Sequence, residues 1–571
     1  MLQGAPFRLV SFNSCDDLLR QLRGAARRAV GPYGLGFGGV QYKNSLPAAG
    51  APGVAEDRAA APSAPTAVPP EHSTTNVQEA GVDEPDLVKT DGRRIVTVHN
   101  GRLQVVDAAT RRVTGTVALG SGPRYGDPGY GGPGFFDAEL LLAGDRALVL
   151  AQDAGYRGGV APEVGTLAPG KSVLVQVDLA GAPRVTGTLT FDGRYVDARM
   201  VGSTARVVLS STPRLQFPYE QSGTDRQRTA ANQRIIDRAQ LDDWLPHYQL
   251  QRDSRTSSGR VDCDAVSTPA AFSGASLLTV LTLDLAGPLG SGDPVSIAAD
   301  GDTVYASQTS LYVTNDQRWR YWDGPIALDP QARSDPGGLD GRTEIYQFDI
   351  SGPGRPAFVA SGSVPGWLLN QYSLSEFDGH LRVATTTVAP VPLSPTGPAG
   401  ERAQGGTQNS VSVLTRQGGR LAVTGNVDGL GRGERVYAVR FLGPVGYVVT
   451  FRQTDPLYTV DLSDPVHPRV VGSLALTGYS EANYDPHAFL YWPATGTLVL
   501  PVTGPTSGAL VLAVHDGGLT EVGTLQPPTA QAYQPARRSL VIGGTLWTLY
   551  DGGLLASDLG TLARQGWVPL S

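Results

Sequence analysis

Four carboxylates crowd into the segment GVDEPDLVKTDG: Asp83, Glu84, Asp86 and Asp91. Oxygen ligands gathered on a flexible loop are what a hard cation such as calcium takes. The EF-hand spacing is absent, and Pro85 with Asp91-Gly92 reads equally as turn chemistry. Asn426, Asp428 and Glu434 in NVDGLGRGE pose the same choice. Beyond these groups the usual catalytic constellations are missing. There is no GxSxG elbow, HExxH pair or P-loop, and the seven histidines offer no i, i+4 metal pair. No catalytic residue, metal ligand or cofactor is therefore assigned, with calcium left open by the oxygen-rich clusters.

Cys15 and Cys263 are the two cysteines, with no CxxC or His-rich spacing nearby. They read either as unrelated free thiols or as one disulfide tying the N-terminal segment to a distant loop, which needs an oxidising compartment.

The 571 residues carry 46 Lys plus Arg against 53 Asp plus Glu, a net charge of −7. A nucleic-acid binder normally shows a basic footprint, so nucleic acid is excluded as the expected partner. Glycine (72) and proline (43) make up about a fifth of the chain, too much for long helices and well suited to many strands joined by tight turns. No run reaches the roughly 18 to 20 apolar residues of a membrane helix. The start, MLQGAPFRLVSF, lacks the basic and apolar regions of a secretory signal, so the chain is read as cytoplasmic or as preceded by an export segment outside this sequence.

The elements that must position these residues follow a pattern. Residues 1–30 form an N-terminal segment in which Leu18, Leu19, Leu22, Ala25, Ala26 and Ala29 make one apolar face of a helix over Asp16–Val30, with Ser14 or Asp16 as cap. Residues 31–72 are a Gly/Ala/Pro-rich linker. From there to residue 571 one phrase recurs, an apolar strand ending in aspartate: LQVVD to Asp107, then Asp178, Asp284, Asp349, Asp461, Asp516 and Asp558, with VSVLT at Thr415 as a variant. The closest markers, Asp516 and Asp558, lie 42 residues apart, near the 40 to 45 residues of a propeller blade. The unit RVYAVRFLG, YVVTFR, LYTVDLS, RVVGSLAL shows four strands with turn residues between them. A four-stranded sheet has two apolar faces, so copies must pack side by side in a ring. The expected fold is all-β: a single propeller of eight four-stranded blades. An insertion over about 211–275 in the third blade carries a short helical stripe, Ile235, Ile236, Ala239 and Trp244, ended by Pro246.

The first strand of each blade lines the central channel of a propeller. Reading those strands together places Lys89, Asp137, Glu139, Asp197, Arg199, Tyr372, Arg440, His487 and Arg537 near the channel or its mouth, with Asn370 and Asp485 entering two of the strands. Such groups either solvate a water-filled channel or converge on a polar ligand. The ligand-binding candidates are Lys89, Asp137, Asp197, Arg199, Asn370, Tyr372, Arg440, Asp485 and His487.

Three stretches resemble a known group. STTNVQEAGVDEPDLVKTDGRRIVTV, GWLLNQYSLSEFDGHLRVATT and RVYAVRFLGPVGYVVTFRQTDPLYTVDLSDPVHPRVVGSL are similar to signatures of an uncharacterised bacterial and archaeal family of secreted proteins with a C-terminal β-propeller domain. SFNSCDDLL resembles the N-terminal lead of its actinobacterial members. The resemblance implies a propeller in a secreted or cell-envelope setting, which strengthens the disulfide reading, and implies no particular reaction. The expected function is an extracytoplasmic binding or interaction scaffold, monomeric, taking a polar ligand or an envelope protein at one propeller face. The alternatives are an envelope hydrolase or lyase using channel carboxylates and His487, with or without a divalent cation, and a purely structural module.

Overall fold

The computed structural model describes residues 9–11, 14–35, 72–73, 77–79, 81–119, 133–153, 170–218, 223–269, 274, 276–299, 301, 303–315, 341–388, 407–451, 455–476, 490–502, 507–515, 518–528 and 536–570. Most of the segment read as a linker lies outside them. The described residues are all-β with few helices, in a propeller-like arrangement. Antiparallel four-stranded runs follow one another over 88–118, 133–192, 194–298, 303–365, 374–430, 435–476, 490–525 and 538–569, each strand pairing with the next in the chain. The third run is interrupted by the insertion.

Inner strands are buried on both faces. Six successive residues, Ser172–Val177, are buried in the third strand of the second run, whereas the last strand of the first run, Arg112–Ala118, is mostly exposed and has no buried residue. This gradient follows from sheets standing side by side: inner strands are sandwiched between neighbours and outer strands reach solvent. Contiguous cores join adjacent runs. Val88, Ile95 and Val106 of the first pack with Leu540, Trp547 and Leu554 of the last, and Arg111 of the first donates to the Gln565 carbonyl of the last at 3.1 Å.

The recurring aspartates end third strands and turn the chain. Asp107 accepts from the Thr110 N–H at 2.7 Å, Asp178 from Ala180 at 3.0 Å, Asp349 from Ser351 at 2.9 Å, Asp461 from Ser463 at 3.0 Å and Asp558 from Thr561 at 2.8 Å. These are Asx turns, in which a short carboxylate replaces a backbone acceptor. The donated bonds hold all five carboxyls below the ordinary range, Asp461 at about 2, where the Ser463 hydroxyl contributes most. In the same five runs the register between third and fourth strands slips just before the aspartate, as at Val105/Val106 and Thr459/Val460. Each slip is a bulge that increases twist where the outer strand peels away. Asp516 lies outside the described residues.

Among the described residues seven sheets are formed, because the fourth and fifth runs share one eight-stranded sheet. Their last strands, Ala357–Pro365 and Arg420–Leu430, run parallel and pair at a single position, Ser361 with Arg420. Gly362 permits the approach: a Cβ there would lie 2.4 Å from the Leu421 carbonyl oxygen.

The insertion braces two sheets. Its hairpin, His247–Arg252 and Arg255–Arg260, extends the second sheet by pairing with Arg184–Asp192, and Val266–Pro269 joins the third sheet alongside Val295–Ala298. The fourth strands of both sheets thereby gain a partner, and in the second sheet Arg255–Arg260 becomes the terminal strand. Helices α1 (Cys15–Ala29), α2 (Asp225–Arg238) and α3 (Leu241–Trp244) pack together, Leu18, Leu22 and Ala26 against Ile236, Ala239 and Trp244. Ser14 caps α1 by accepting from the Asp17 N–H, and Thr224 caps α2 in a reciprocal box with Gln227. Asn232 donates to the Gly31 carbonyl at 2.9 Å and Arg23 to that of Ala239 at 2.8 Å. Cys15 is bonded to Cys263 with Cα atoms 5.4 Å apart, closing a separation of 248 residues.

A loop that long constrains the unfolded chain by about 5 kcal/mol in the chain-entropy model. The Cys15→Ser, Cys263→Ser double variant is expected to unfold at a lower denaturant midpoint than the oxidised protein. Reduction should bring the wild type to that midpoint, and an unchanged midpoint would show that the bond adds nothing.

Candidate functional site

The acidic segment preceding the first strand runs as a strap across the inner strands of the sheets. At its start the Ser73 N–H donates to the Val541 carbonyl at 2.8 Å and its hydroxyl accepts from the Val541 N–H, in the eighth run. Gln78 donates through its amide to the carbonyls of Gln371 at 3.1 Å and Leu374 at 2.5 Å, in the fifth. Glu79 accepts from the Tyr305 hydroxyl of the fourth at 2.7 Å and the Ser375 hydroxyl of the fifth at 3.2 Å. Asp83 exchanges both backbone bonds with Met200 of the third, and Asp86 both with Leu140 of the second. The strap then becomes the first run at Val88–Thr90, paired with Ile95–Thr97. At Gly81, φ is +80° and a Cβ would lie 2.9 Å from the Gln308 amide nitrogen, so this crossing suits glycine.

Its carboxylates meet cations supplied by the sheets. Arg538 donates from Nε to Asp86 at 2.6 Å, with both side chains almost fully buried. Lys89, also buried, donates to Asp83 at 2.6 Å and to the Glu84 carbonyl. Arg199, 2% exposed, lies 3.7 Å from Glu84 and pairs with Asp197 at 2.7 Å. Burial pulls the Arg199 guanidinium down, and Asp197 and Glu84 more than offset it, so its pKa rises. Arg440 stacks on the Tyr372 ring at 3.7 Å, and burial lowers its pKa. Arg382 donates to the Ser375 hydroxyl at 2.6 Å and to the Gly443 carbonyl, and burial brings it down to about 10. Burial also raises Glu79, against the hydrogen bonds from Tyr305 and Ser375.

The structure thus brings Lys89, Asp197, Arg199, Tyr372 and Arg440 together around the strap. Asn370 stands beside them, its side chain accepting from the Tyr372 N–H at 3.1 Å. Glu139 accepts from the Tyr195 hydroxyl at 3.2 Å, and Arg537 pairs with exposed Asp551. Asp137 belongs to the strand Pro133–Ala143, but its side chain is not among those described, and Asp485 and His487 lie outside the described residues. Of the acidic cluster, Asp91 is a turn residue that accepts from the Arg93 and Arg94 N–H groups. The carboxylates of Asp83, Glu84 and Asp86 face Lys89, Arg199 and Arg538. Among the described residues no group of three or more His, Cys, Asp or Glu is placed to hold a metal. Glu79, Tyr305, Arg382 and Arg538 were missed by sequence reasoning. For the last three the one signal is charge or hydroxyl in otherwise apolar strands.

A separate open pocket of about 460 Å³ lies at the outer end of the second sheet, lined by residues including Lys171, Asp192, His247 and Arg260.

Antiparallel runs set around a charged strap define a β-propeller. The chain belongs to the beta propeller domain family, whose model matches residues 72–481 and 479–562. It is 41% identical over 141 residues to an uncharacterised protein of Archaeoglobus fulgidus and 41% identical over 122 residues to another of Methanocaldococcus jannaschii. These matches cover 24% and 21% of this chain and 19% and 17% of the relatives, so the chain spans about a fifth of the length of the curated relatives it matches. Among solved structures it is similar to Citrobacter koseri AztD, with 9% identity and a TM-score of 0.33 over 86% of this chain and 94% of that one. It is also similar to the dihydro-heme d1 dehydrogenase NirN, with 11% identity and a TM-score of 0.26 over 85% and 74%.

Removing one partner of a buried ion pair strands the other, at a cost of about 3–5 kcal/mol. Arg538→Ala is expected to lower the unfolding free energy by that amount, and the Asp86→Ala, Arg538→Ala pair to cost less than the sum of the single changes. Additivity in the double-mutant cycle would remove the pair from the account.

Because the folded pKa of Glu79 is raised, its contribution is fully present below about pH 4.3 and is lost as pH rises through the folded value. Glu79→Gln keeps the acceptor oxygen without the charge. Denaturant midpoints should show the variant gaining on the wild type between pH 5 and pH 8, whereas parallel pH profiles would contradict the assignment.

Proposed function

We propose that the seven described sheets form one ring of eight four-stranded blades acting outside the cytoplasm as a non-enzymatic binding or interaction scaffold. Eight successive four-stranded runs support the blade count, with the eight-stranded sheet read as two blades touching at one residue pair. The Cys15–Cys263 bond supports an oxidising compartment.

The observation that carries the scaffold reading is the strap. Lys89, Arg199 and Arg538 of the inner strands, which in a ligand chamber would face substrate, are engaged by the chain's own Asp83, Glu84 and Asp86, and the Tyr305 hydroxyl by Glu79. Glu84 and Asp86 are held in place by the buried guanidinium groups of Arg199 and Arg538. The centre is therefore structural, and recognition belongs to the faces and the outer rim of the ring, with a polar ligand or an envelope protein as partner.

The test offers the purified, oxidised protein a panel of ester, peptide, glycoside and phosphoester substrates, with and without added divalent cations, and in parallel measures saturable binding to cell-envelope fractions. Binding without turnover is the expected result. Turnover that disappears in Asp485→Ala and His487→Ala would replace the scaffold with a hydrolase or lyase.

A further inference from the structure

The insertion hairpin widens the second sheet and creates a polar shelf that the central strap does not reach. Cross-strand register sets its composition. Lys171 lies opposite Asp192, Phe191 opposite Tyr248, and His247 opposite Arg260, so Lys171, Asp192, His247 and Arg260 form one row across four adjacent strands. Two residues along, on the same face because side chains alternate, Thr190 lies opposite Gln249 and Gln249 opposite Ser258. One row is charged and the next carries hydroxyl and amide groups, and both line the same open pocket of about 460 Å³.

The charged row is built. The Asp192 Oδ2 atom accepts from Arg214 at 2.9 Å and from the His247 N–H at 3.1 Å, with the carboxylate side chain only 13% exposed. The His247 imidazole meets Asp242 at 3.1 Å, and Arg260 lies 3.4 Å from the same carboxylate. Beneath the shelf the Tyr248 ring stacks on buried Phe191, with centroids 6.1 Å apart and planes 9° apart. Gly259 leaves room for that ring, since a Cβ there would lie 2.6 Å from the Tyr248 hydroxyl. Lys171 is exposed and forms no ion pair among the described residues.

We propose that this shelf binds a carboxylate-bearing saccharide, a uronate unit of a glycan. This rests on the scaffold reading above and names a ligand class for it. At the shelf Lys171, Arg214 and Arg260 stand against the carboxylates of Asp192 and Asp242; Arg214 pairs with Asp192 and Arg260 with Asp242, which leaves Lys171 as the cation with no ion pair among the described residues. That favours an anionic group at one row. Thr190, Gln249 and Ser258 offer hydroxyl and amide groups at the spacing of adjacent strands, about 4.8 Å, so neighbouring ones can reach hydroxyls on alternate carbons of one sugar ring. Among the described residues the lining carries the Tyr248 ring and no aliphatic side chain.

The probes are a disaccharide carrying one glucuronate, the same disaccharide with glucose in its place, and inorganic phosphate, each titrated calorimetrically into the full oxidised chain at low ionic strength. The acidic sugar is expected to bind at least about tenfold more tightly than the neutral one. Lys171→Gln and Arg260→Gln should each weaken it by about tenfold or more, because each removes a charge-assisted hydrogen bond. Both positions are exposed or half-exposed, so denaturant midpoints of the variants should match wild type, and the Cys15–Cys263 pairing reports a native fold independently. Equal affinity for the two sugars, no binding of either, phosphate competing as well as the acidic sugar, or binding indifferent to both variants would each overturn the proposal. The scaffold reading fails separately, through turnover, and survives if envelope binding persists in Lys171→Gln and Arg260→Gln.

Discussion

Asp86 and Arg538 are 452 positions apart in the chain and share a hydrogen-bonded ion pair from which water is almost excluded. Charges in that setting are costly alone and acceptable only together. The same holds for Glu84 with Arg199, whereas Asp83 with Lys89 is a local pair within the strap and the strand it becomes. The two long-range pairs form only when the sheets carrying Arg199 and Arg538 stand in their final relation, so the strap couples the first, third and eighth runs into one thermodynamic unit. Backbone bonds to Met200, Leu140 and Val541 add the directional part. A ring of sheets held solely by apolar faces could slide, and hydrogen bonds of fixed register at its centre oppose that.

The same constraint divides the molecule by role. Ionic groups near the centre are matched and buried, so their shifted pKa values follow from burial and from partners within the chain. The outer rim differs. There the insertion lays a hairpin on the second sheet and a strand on the third, α1 packs on α2 and α3, and the disulfide fastens the N-terminal segment to that assembly. Edge strands that would otherwise offer unpaired N–H and C=O groups are covered, and the widened sheet exposes a polar face.

Much of the architecture was legible because it is local. Apolar runs ending in aspartate marked third strands, since a short carboxylate after a strand captures the next N–H groups wherever it stands. The helix read over Asp16–Val30 runs over Cys15–Ala29, because its i, i+3, i+4 leucines and alanines have one way to be buried. Lys89, Arg199, Tyr372 and Arg440 were read as central residues because they fall on or beside the first strand of a repeat, the strand that lines the channel of a propeller. What they face was not legible. The cluster Asp83, Glu84, Asp86 looked like turn chemistry or a cation site, since nothing in GVDEPDLVKTDG records that Arg538 and Arg199 lie opposite.

Sequence alone therefore determined strand-rich composition, the repeat, the turn chemistry of each aspartate and the amphipathic N-terminal helix, all of which depend on neighbours within a few residues. Tertiary structure decided the rest. It turned an acidic loop into a strap, chose the disulfide over two free thiols by bringing the Cα atoms of Cys15 and Cys263 to 5.4 Å, and sent the insertion hairpin to the preceding sheet instead of its own. It also joined two runs at Ser361 and Arg420. These outcomes depend on which surfaces meet when the sheets pack, and a pairing between residues hundreds of positions apart leaves no periodicity to read.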